Sequence, residues 1–408
     1  MRREQVAVTG LGLLAPSGIG VAAGWDGLCA GESFAAADPE LAGLPVAFSC
    51  RVPELDAKEL LGHRLARRLD RFTVLALLAA REATADAGLD SGSWDGTRVG
   101  VVMGVGTGSM QSWQPEFDRL AAALPEKVSP LALSRSLPSM AAAEIAMDLG
   151  ALGPNLVVST ACASGTSAIG MARELLLAGA CDIVLAGGAE SARMPMTAAC
   201  FAQMRALSRR SGDPAGASRP FERDRDGFVL GEGAAVLVLE RGRHARARGA
   251  RTRAQLAGFG SSCDGHHVTA PHPEGDGAAR ALRGALADAG LAPADIGHVN
   301  AHGTGTPHGD AAEARALHTV FGTPPPVTAL KGGIGHAIGG AGAIEAVCTV
   351  LALERQLIPP TVNLDVPDPE CDLDLVTKAP RPHRMTAAVS NSFGFGGQNA
   401  VLAFTCPE

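Results

Sequence analysis

The stretch Leu156-Val-Val-Ser-Thr-Ala-Cys-Ala-Ser-Gly-Thr-Ser-Ala-Ile-Gly170 runs from a short β-branched strand through a turn into a helix of almost entirely small residues. A strand that feeds a helix in this way is the unit from which parallel sheets covered by helices are built. Small side chains at 163, 164, 165, 167, 168, 170 and 172 leave that helix thin on nearly every side. Other elements can therefore approach closely, and the helix is expected to lie buried among them with a single thiol, Cys162, at its start.

The same alternation continues in both directions. Strands are predicted at residues 5–8, 99–103, 156–158, 183–186 and 234–239, and helices at 68–87, 141–148, 163–178, 277–289, 311–320 and 341–356. The two halves of the chain echo one another. Leu156 to Cys162 has its counterpart in Val327-Thr-Ala-Leu-Lys-Gly-Gly-Ile-Gly-His336, and Val99 to Thr107 in Gly297-His-Val-Asn-Ala-His-Gly-Thr304. Each half would offer its strand ends to a shared centre. The stretch 208–226, rich in Arg, Asp, Gly and Pro, reads as an ordered surface loop.

Composition narrows the function classes. The 408 residues, 46% of them hydrophobic, are enough for a large core, and a net charge of -7 argues against general nucleic-acid binding. Nine scattered cysteines without a CxxC pair favour a reducing cytoplasm over disulfides or a zinc site. Glu4, Thr9 and two glycines interrupt the apolar start, so residues 5–14 read as a strand and turn and not as a leader. No apolar run is long enough to span a bilayer.

A thiol at a helix start faces unpaired N–H groups and the positive end of the helix dipole, which is expected to lower its pKa and to offer an oxyanion site. Alone, the motif is equally a packed core cysteine. Two histidines change that balance. His302, in Asn300-Ala-His-Gly-Thr-Gly-Thr-Pro307, and His336, in Lys331-Gly-Gly-Ile-Gly-His336, both sit on glycine-cleared strand ends. A fourth element, Asn391-Ser-Phe-Gly-Phe-Gly-Gly-Gln-Asn399, places Phe395 where it can swing over a pocket. His266, His267 and His272 lack the companion ligands of a zinc site, and no metal is expected.

Together with Val8-Thr-Gly-Leu-Gly12 and Arg219-Pro-Phe-Glu-Arg-Asp-Arg-Asp-Gly-Phe-Val-Leu-Gly-Glu-Gly233, these motifs resemble the β-ketoacyl-acyl-carrier-protein synthases of the elongating Cys-His-His type, over essentially the whole chain. The resemblance implies an α/β thiolase fold, a duplicated five-layered αβαβα arrangement, with residues 1–250 carrying the nucleophile and 251–408 the two histidines. It implies that Cys162 accepts the acyl chain, that His302 and His336 assist decarboxylation of malonyl-carrier protein, and that Lys331, with Glu313, organises the site. Thr304, Thr306 and Thr269 would hold the phosphopantetheine arm. The N–H groups of Cys162 and Phe395 would form the oxyanion hole, Phe395 would gate entry, and Thr107 would line the acyl pocket.

Degradative thiolases use a second cysteine where this chain has Phe-Gly-Phe-Gly, initiating synthases have Asn in place of His336, and a non-catalytic chain-length subunit would lack Cys162. Gly332, Gln398 and Thr107 depart from the common family residues and hint at a specialised polyketide pathway. The alternatives are a homodimeric fatty-acid elongating synthase and a non-catalytic acyl-binding scaffold. The expected partners are an acyl-carrier protein, docked by some of Arg64, Arg67, Arg68, Arg209 and Arg210, and a second subunit, identical or chain-length-factor-like. No cofactor beyond the carrier's phosphopantetheine is expected, nor any membrane or nucleic acid.

Overall fold

A computed structural model describes residues 4–407. Ten strands run in chain order as β1 (Val6–Ala15), β2 (Val99–Gly104), β3 (Asn155–Val158), β4 (Ile183–Ser191), β5 (Glu232–Arg241), β6 (Ala254–Cys263), β7 (His298–Asn300), β8 (Val327–Thr328), β9 (Ala387–Gly394) and β10 (Gln398–Thr405). Their spatial order is β3-β2-β4-β5-β1-β6-β10-β9-β7-β8, with the short strand Gly18–Ile19 pairing off the side of β1. Read outward from the junction, each half has the order first, fifth, fourth, second, third.

The pairing sense repeats as well. In the first half β2 is parallel to β3 and β4, while β4/β5 and β5/β1 are antiparallel. In the second, β7 is parallel to β8 and β9, while β9/β10 and β10/β6 are antiparallel. The weak echo between Val99 and Gly297, and between Leu156 and Val327, is thus a true duplication: each pair occupies the same place in its half. The halves meet through the antiparallel pairs Ala7↔Gln255 and Val8↔Ala254.

Six helices complete the layers: α1 (Arg71–Asp86), α2 (Met140–Leu149), α3 (Ser164–Leu177), α4 (Asp276–Ala289), α5 (Pro307–Phe321) and α6 (Ile338–Arg355). α1 covers β1 and β5, α2 covers β2, and α4, with α5 beside it, covers β6 and β10. Between the half-sheets lie α3 and α6, which pack on each other and on strands of both halves. The result is helix, sheet, helix, sheet, helix. The centre is tight because it is glycine-lined: a Cβ on Gly165 would stand 2.7 Å from Ala343 N, and one on Gly342 only 2.1 Å from Thr166 Oγ1. α6 is buried continuously from Ile338 to Leu353.

The stretch 208–226 corrects the sequence reading. It is irregular, but Ala217, Ser218, Phe221, Glu222 and Arg225 are buried. Arg225 pairs with Asp310 at 3.4 Å, Phe221 N donates to Asp310 Oδ2 at 2.7 Å, and Ser218 Oγ donates to Lys331 O at 2.6 Å. Polar composition suggested the surface; internal partners for those polar groups are what allow burial. Among the described residues, no helix is long and apolar enough to cross a membrane.

One buried group sets an acid limit on stability. His298 on β7 is 1% exposed, neither ring nitrogen has a protein partner, and burial lowers its pKa to about 3. Between its ordinary value of 6.5 and that value, the unfolded chain binds a proton that the native state refuses, so stability falls as pH drops below 6.5. His298→Leu is expected to resist acid better: denaturant titrations should show the variant gaining on the parent by about 2 kcal/mol between pH 7 and pH 5. A constant difference across that range would contradict this.

Candidate active site

Cys162 lies in a 3-10 turn, Ala161–Ala163, between β3 and the first residue of α3. Ala161 adopts φ 49°, a left-handed conformation that costs an L-residue energy and that sharpens the strand-to-helix reversal. Neighbouring hydroxyls close the turn: Ser164 Oγ accepts from Thr160 N at 2.9 Å and donates to Ala161 O at 2.6 Å, and Thr160 Oγ1 donates to Ser167 Oγ at 2.9 Å. Two backbone N–H groups, those of Phe395 and of Cys162 itself, point at the sulfur.

The thiol does not behave as the helix-start argument predicts. Burial raises its pKa to about 11, with the Lys331 charge and the Phe395 N–H only partly offsetting this. The largest influence is desolvation of a thiolate at a 6% exposed site, and the thiol sits in a 3-10 turn ahead of the α-helix and not in the helix's first turn. The resting site therefore holds a thiol and not a thiolate.

His302 follows β7, and its loop is fixed by Glu313, whose carboxylate accepts His302 N at 2.9 Å, Gly303 N at 2.8 Å and Asn391 Nδ2 at 3.1 Å. Lys331 Nζ donates to His302 O at 2.7 Å and faces His302 Nδ1 at 3.4 Å. An ammonium can only donate, so Nδ1 is the acceptor and the ring proton sits on Nε2. The carboxylate paired with Lys331 is Glu345 on α6, in a very short contact between two side chains that are each 1% exposed. Glu313, expected to organise the site with Lys331, holds the His302 loop and the Asn391 side chain, and the Lys331 charge reaches it without a direct ion pair.

His336 enters from the other strand end. Its N–H donates to Val229 O at 2.8 Å, and its ring meets Phe228 and His302 edge to face, at centroid distances of 5.2 Å and 5.4 Å. Both of its ring nitrogens are buried without a protein partner. Burial first, and the Lys331 charge second, hold both histidines far below their ordinary pKa, so both are neutral.

Cys162, His302, His336, Phe393 and Phe395 line one cavity of about 250 Å³, whose mouth carries Thr304, Thr306 and Thr269. Thr304 and Thr306 share a hydroxyl contact of 2.9 Å. The Phe395 ring lies 6.1 Å from that of Phe201, and the loop behind it is tied by Gly396 N to Val268 O at 2.7 Å. Thr107 is not brought to this cavity: it is exposed, and its hydroxyl donates to buried Glu190 at 3.1 Å. Among the described residues no three His, Cys, Asp or Glu side chains are grouped to hold a metal ion. Sequence reading missed Glu345 and Glu190, which belong to no motif; only the folded centre brings them beside Lys331 and the Gly106–Thr107 turn.

A thiol under converging N–H donors, facing two neutral imidazoles in one cavity, is suited to acyl transfer followed by enolate chemistry. Comparison with known proteins agrees with that chemistry: residues 3–245 match the model "Beta-ketoacyl synthase, N-terminal domain" and residues 253–365 the model "Beta-ketoacyl synthase, C-terminal domain". The chain belongs to the β-ketoacyl synthase family. As such it is an acyltransferase that forms carbon–carbon bonds, with the thiolase-type fold. Among its relatives are two named 3-oxoacyl-[acyl-carrier-protein] synthase 2, from Synechocystis sp. and Staphylococcus aureus, each 41% identical over 99% of this β-ketoacyl synthase and 98% of the relative. Similar solved structures include the ishigamide ketosynthase/chain length factor (35% identical, TM-score 0.93, all of both chains covered). Another is a type II polyketide synthase acyl-carrier protein in complex with its ketosynthase bound to the hexaketide (31% identical, TM-score 0.91, all of both chains).

Proposed function

We propose that this β-ketoacyl synthase condenses a malonyl group with an acyl chain held on Cys162, both delivered as phosphopantetheine thioesters of an acyl-carrier protein. The observation that carries this is the convergence of the Cys162 and Phe395 N–H groups on a sulfur whose cavity also holds two neutral imidazoles. Cys162 Sγ attacks the acyl thioester, its proton leaves with the carrier thiol, and the two N–H groups hold the tetrahedral oxyanion. Malonyl-carrier protein then loses CO2. Its enolate oxygen accepts the Nε2–H of His302 and a hydrogen bond from His336, its carbon attacks the acyl carbonyl, and Cys162 leaves as a thiolate that takes up a proton. Thr304 and Thr306 hold the pantetheine arm at the mouth, with Thr269 opposite, and Phe395 gates the entry of malonyl.

We place the enzyme in the cytoplasm, in a type II polyketide pathway, paired with a chain-length-factor-like homologue. Two features favour this. The ketosynthase/chain length factor and the polyketide complex are similar over their full lengths. Gly332 excludes the common serine, because a Cβ there would stand 2.6 Å from Val362 O. The edge strand β3 leaves Leu156 41% exposed, a surface that a second subunit would cover. Arg64 and Arg67, both exposed, are offered to an acidic carrier. The second reading, a homodimeric fatty-acid elongating synthase, is favoured by the names of the curated relatives.

Incubation with an acyl-carrier-protein thioester should add one acyl mass to the peptide containing Cys162, and addition of malonyl-carrier protein should discharge it as a β-ketoacyl thioester. An intact fold with no adduct would leave a scaffold as the answer. Purification with the native partner, identical or a homologue lacking the cysteine, decides between the two pathways.

A further inference from the structure

Glu190, the penultimate residue of β4, is fully buried at the point where the end of β2 meets the start of α6. Its Oε2 accepts Gly106 N at 2.7 Å and Thr107 N at 2.9 Å, and its Oε1 accepts Thr107 Oγ1 at 3.1 Å. The N–H of Gly339, in the first turn of α6, also turns to this carboxylate. The three pieces of chain touch: a Cβ on Gly339 would stand 2.2 Å from Gly106 N and 2.9 Å from Glu190 Oε2. Between His336 and this junction lies Ile338, held at φ 40°. A β-branched residue in the left-handed region is costly and persists only when its surroundings impose it. His336 itself has no side-chain hydrogen bond to orient it, so its ring is placed by its backbone and by ring contacts alone.

We infer that Glu190 is a positioning residue for the decarboxylation step: its carboxylate pins the Gly106–Thr107 turn against the first turn of α6, and so fixes the strained Ile338 and, through it, the direction of the His336 ring. Acyl transfer to Cys162 draws on the N–H groups of Cys162 and Phe395, neither of which bonds to Glu190; the Glu190 charge does reach the thiol and raises its pKa, an influence that E190D keeps, so in E190D the two half-reactions should separate. The inference rests on the roles given above to Cys162 and His336.

The test measures both half-reactions, with a short butyryl thioester for Cys162 acylation and malonyl-acyl-carrier protein for CO2 release, in the parent, E190D, E190Q and H336A. Asp is one methylene too short to reach both chain segments. Gln keeps the span, because its amide oxygen can take the two N–H groups now on Oε2 while its nitrogen donates to Thr107 Oγ1. E190D is expected to release CO2 at least about tenfold more slowly, with acylation within about threefold of the parent and a melting temperature within about 5 °C. E190Q should stay within about threefold in CO2 release, and its acylation should be no slower than the parent's, because the charge that raises the thiol pKa is gone. The inference is overturned if E190D decarboxylates normally, if it loses both steps together, or if E190Q is as impaired as E190D. An H336A enzyme that still decarboxylates normally would instead overturn the role of His336, and this inference with it.

Discussion

Cys162→Ala is expected to lower the condensation rate by about four orders of magnitude or more, while slow release of CO2 from malonyl-carrier protein persists. On the proposed mechanism the variant loses the atom that holds the acyl chain, so the two-step route disappears and not merely one stabilising contact. The groups proposed to decarboxylate malonyl are left in place, because His302, His336 and Lys331 are held by Glu313, Val229 and Glu345, none of which depends on the thiol. The fold should persist: the substitution removes one sulfur from a site whose walls are Ile338, Phe201 and Phe395. Single-turnover assays with separate acyl and malonyl donors, beside a thermal melt, check all three statements. An alanine variant that still condensed would move the nucleophile elsewhere. The raised thiol pKa adds a condition: because the resting group is protonated, acylation should speed up as pH rises through the neutral range towards about 11, until unfolding intervenes.

The second large effect is expected at Lys331→Met. The ammonium satisfies three groups at once: the Glu345 carboxylate, the His302 carbonyl and the His302 ring nitrogen. Burial lifts the Glu345 carboxyl to about 7, and the ammonium is what opposes that rise. Without it a buried carboxylate must bind a proton or stand unpaired, a loss of about 3–5 kcal/mol when one partner of a buried pair is deleted. Nδ1 of His302 also loses the donor that keeps its proton on Nε2, so decarboxylation should fall by about 10²-fold. K331M combined with E345L should recover most of the stability, because both charges are then gone, but not the rate. Denaturant unfolding and CO2 release across this double-mutant cycle separate the two contributions; recovery of both together would show that Lys331 acts through stability alone.

The ease with which the sequence disclosed this site depended on how the residues are spaced. Cys162, His302 and His336 each stand at a strand end beside glycines, so local pattern and turn chemistry point to them directly. The duplicated sheet was visible only as an echo between Leu156 and Val327, since strands as short as Val327–Thr328 leave little periodic signal. Helix α5 begins at Pro307 and α6 at Ile338, earlier than the 311 and 341 expected, because proline at the first turn and glycine within α6 read as breakers when tertiary packing is not considered. Glu345 was unreadable for another reason. It lies nine residues beyond His336 on a helix buried on every face, where a carboxylate looks like an error until the Lys331 ammonium arrives from a different segment. Glu313 was named as a support of the site, but which of the two carboxylates near the lysine makes the direct ion pair could be told only from hydrogen-bond geometry.

The helix between the two half-sheets also bears on how the chain reaches this state. From Ile338 to Leu353 α6 offers water no polar stripe, and its neighbours include β4 and β5, which are translated long before it, as well as β9, which follows. Residues from 251 onward, synthesised alone, would leave the face of this helix that meets β4, β5 and α3 exposed as an adhesive surface. The ribosome, by contrast, delivers β4, β5 and α3 first, as a ready cradle. Assembly of the molecule is therefore directional, and a genetic exchange that separated the two halves would be met by aggregation before it could be judged on activity.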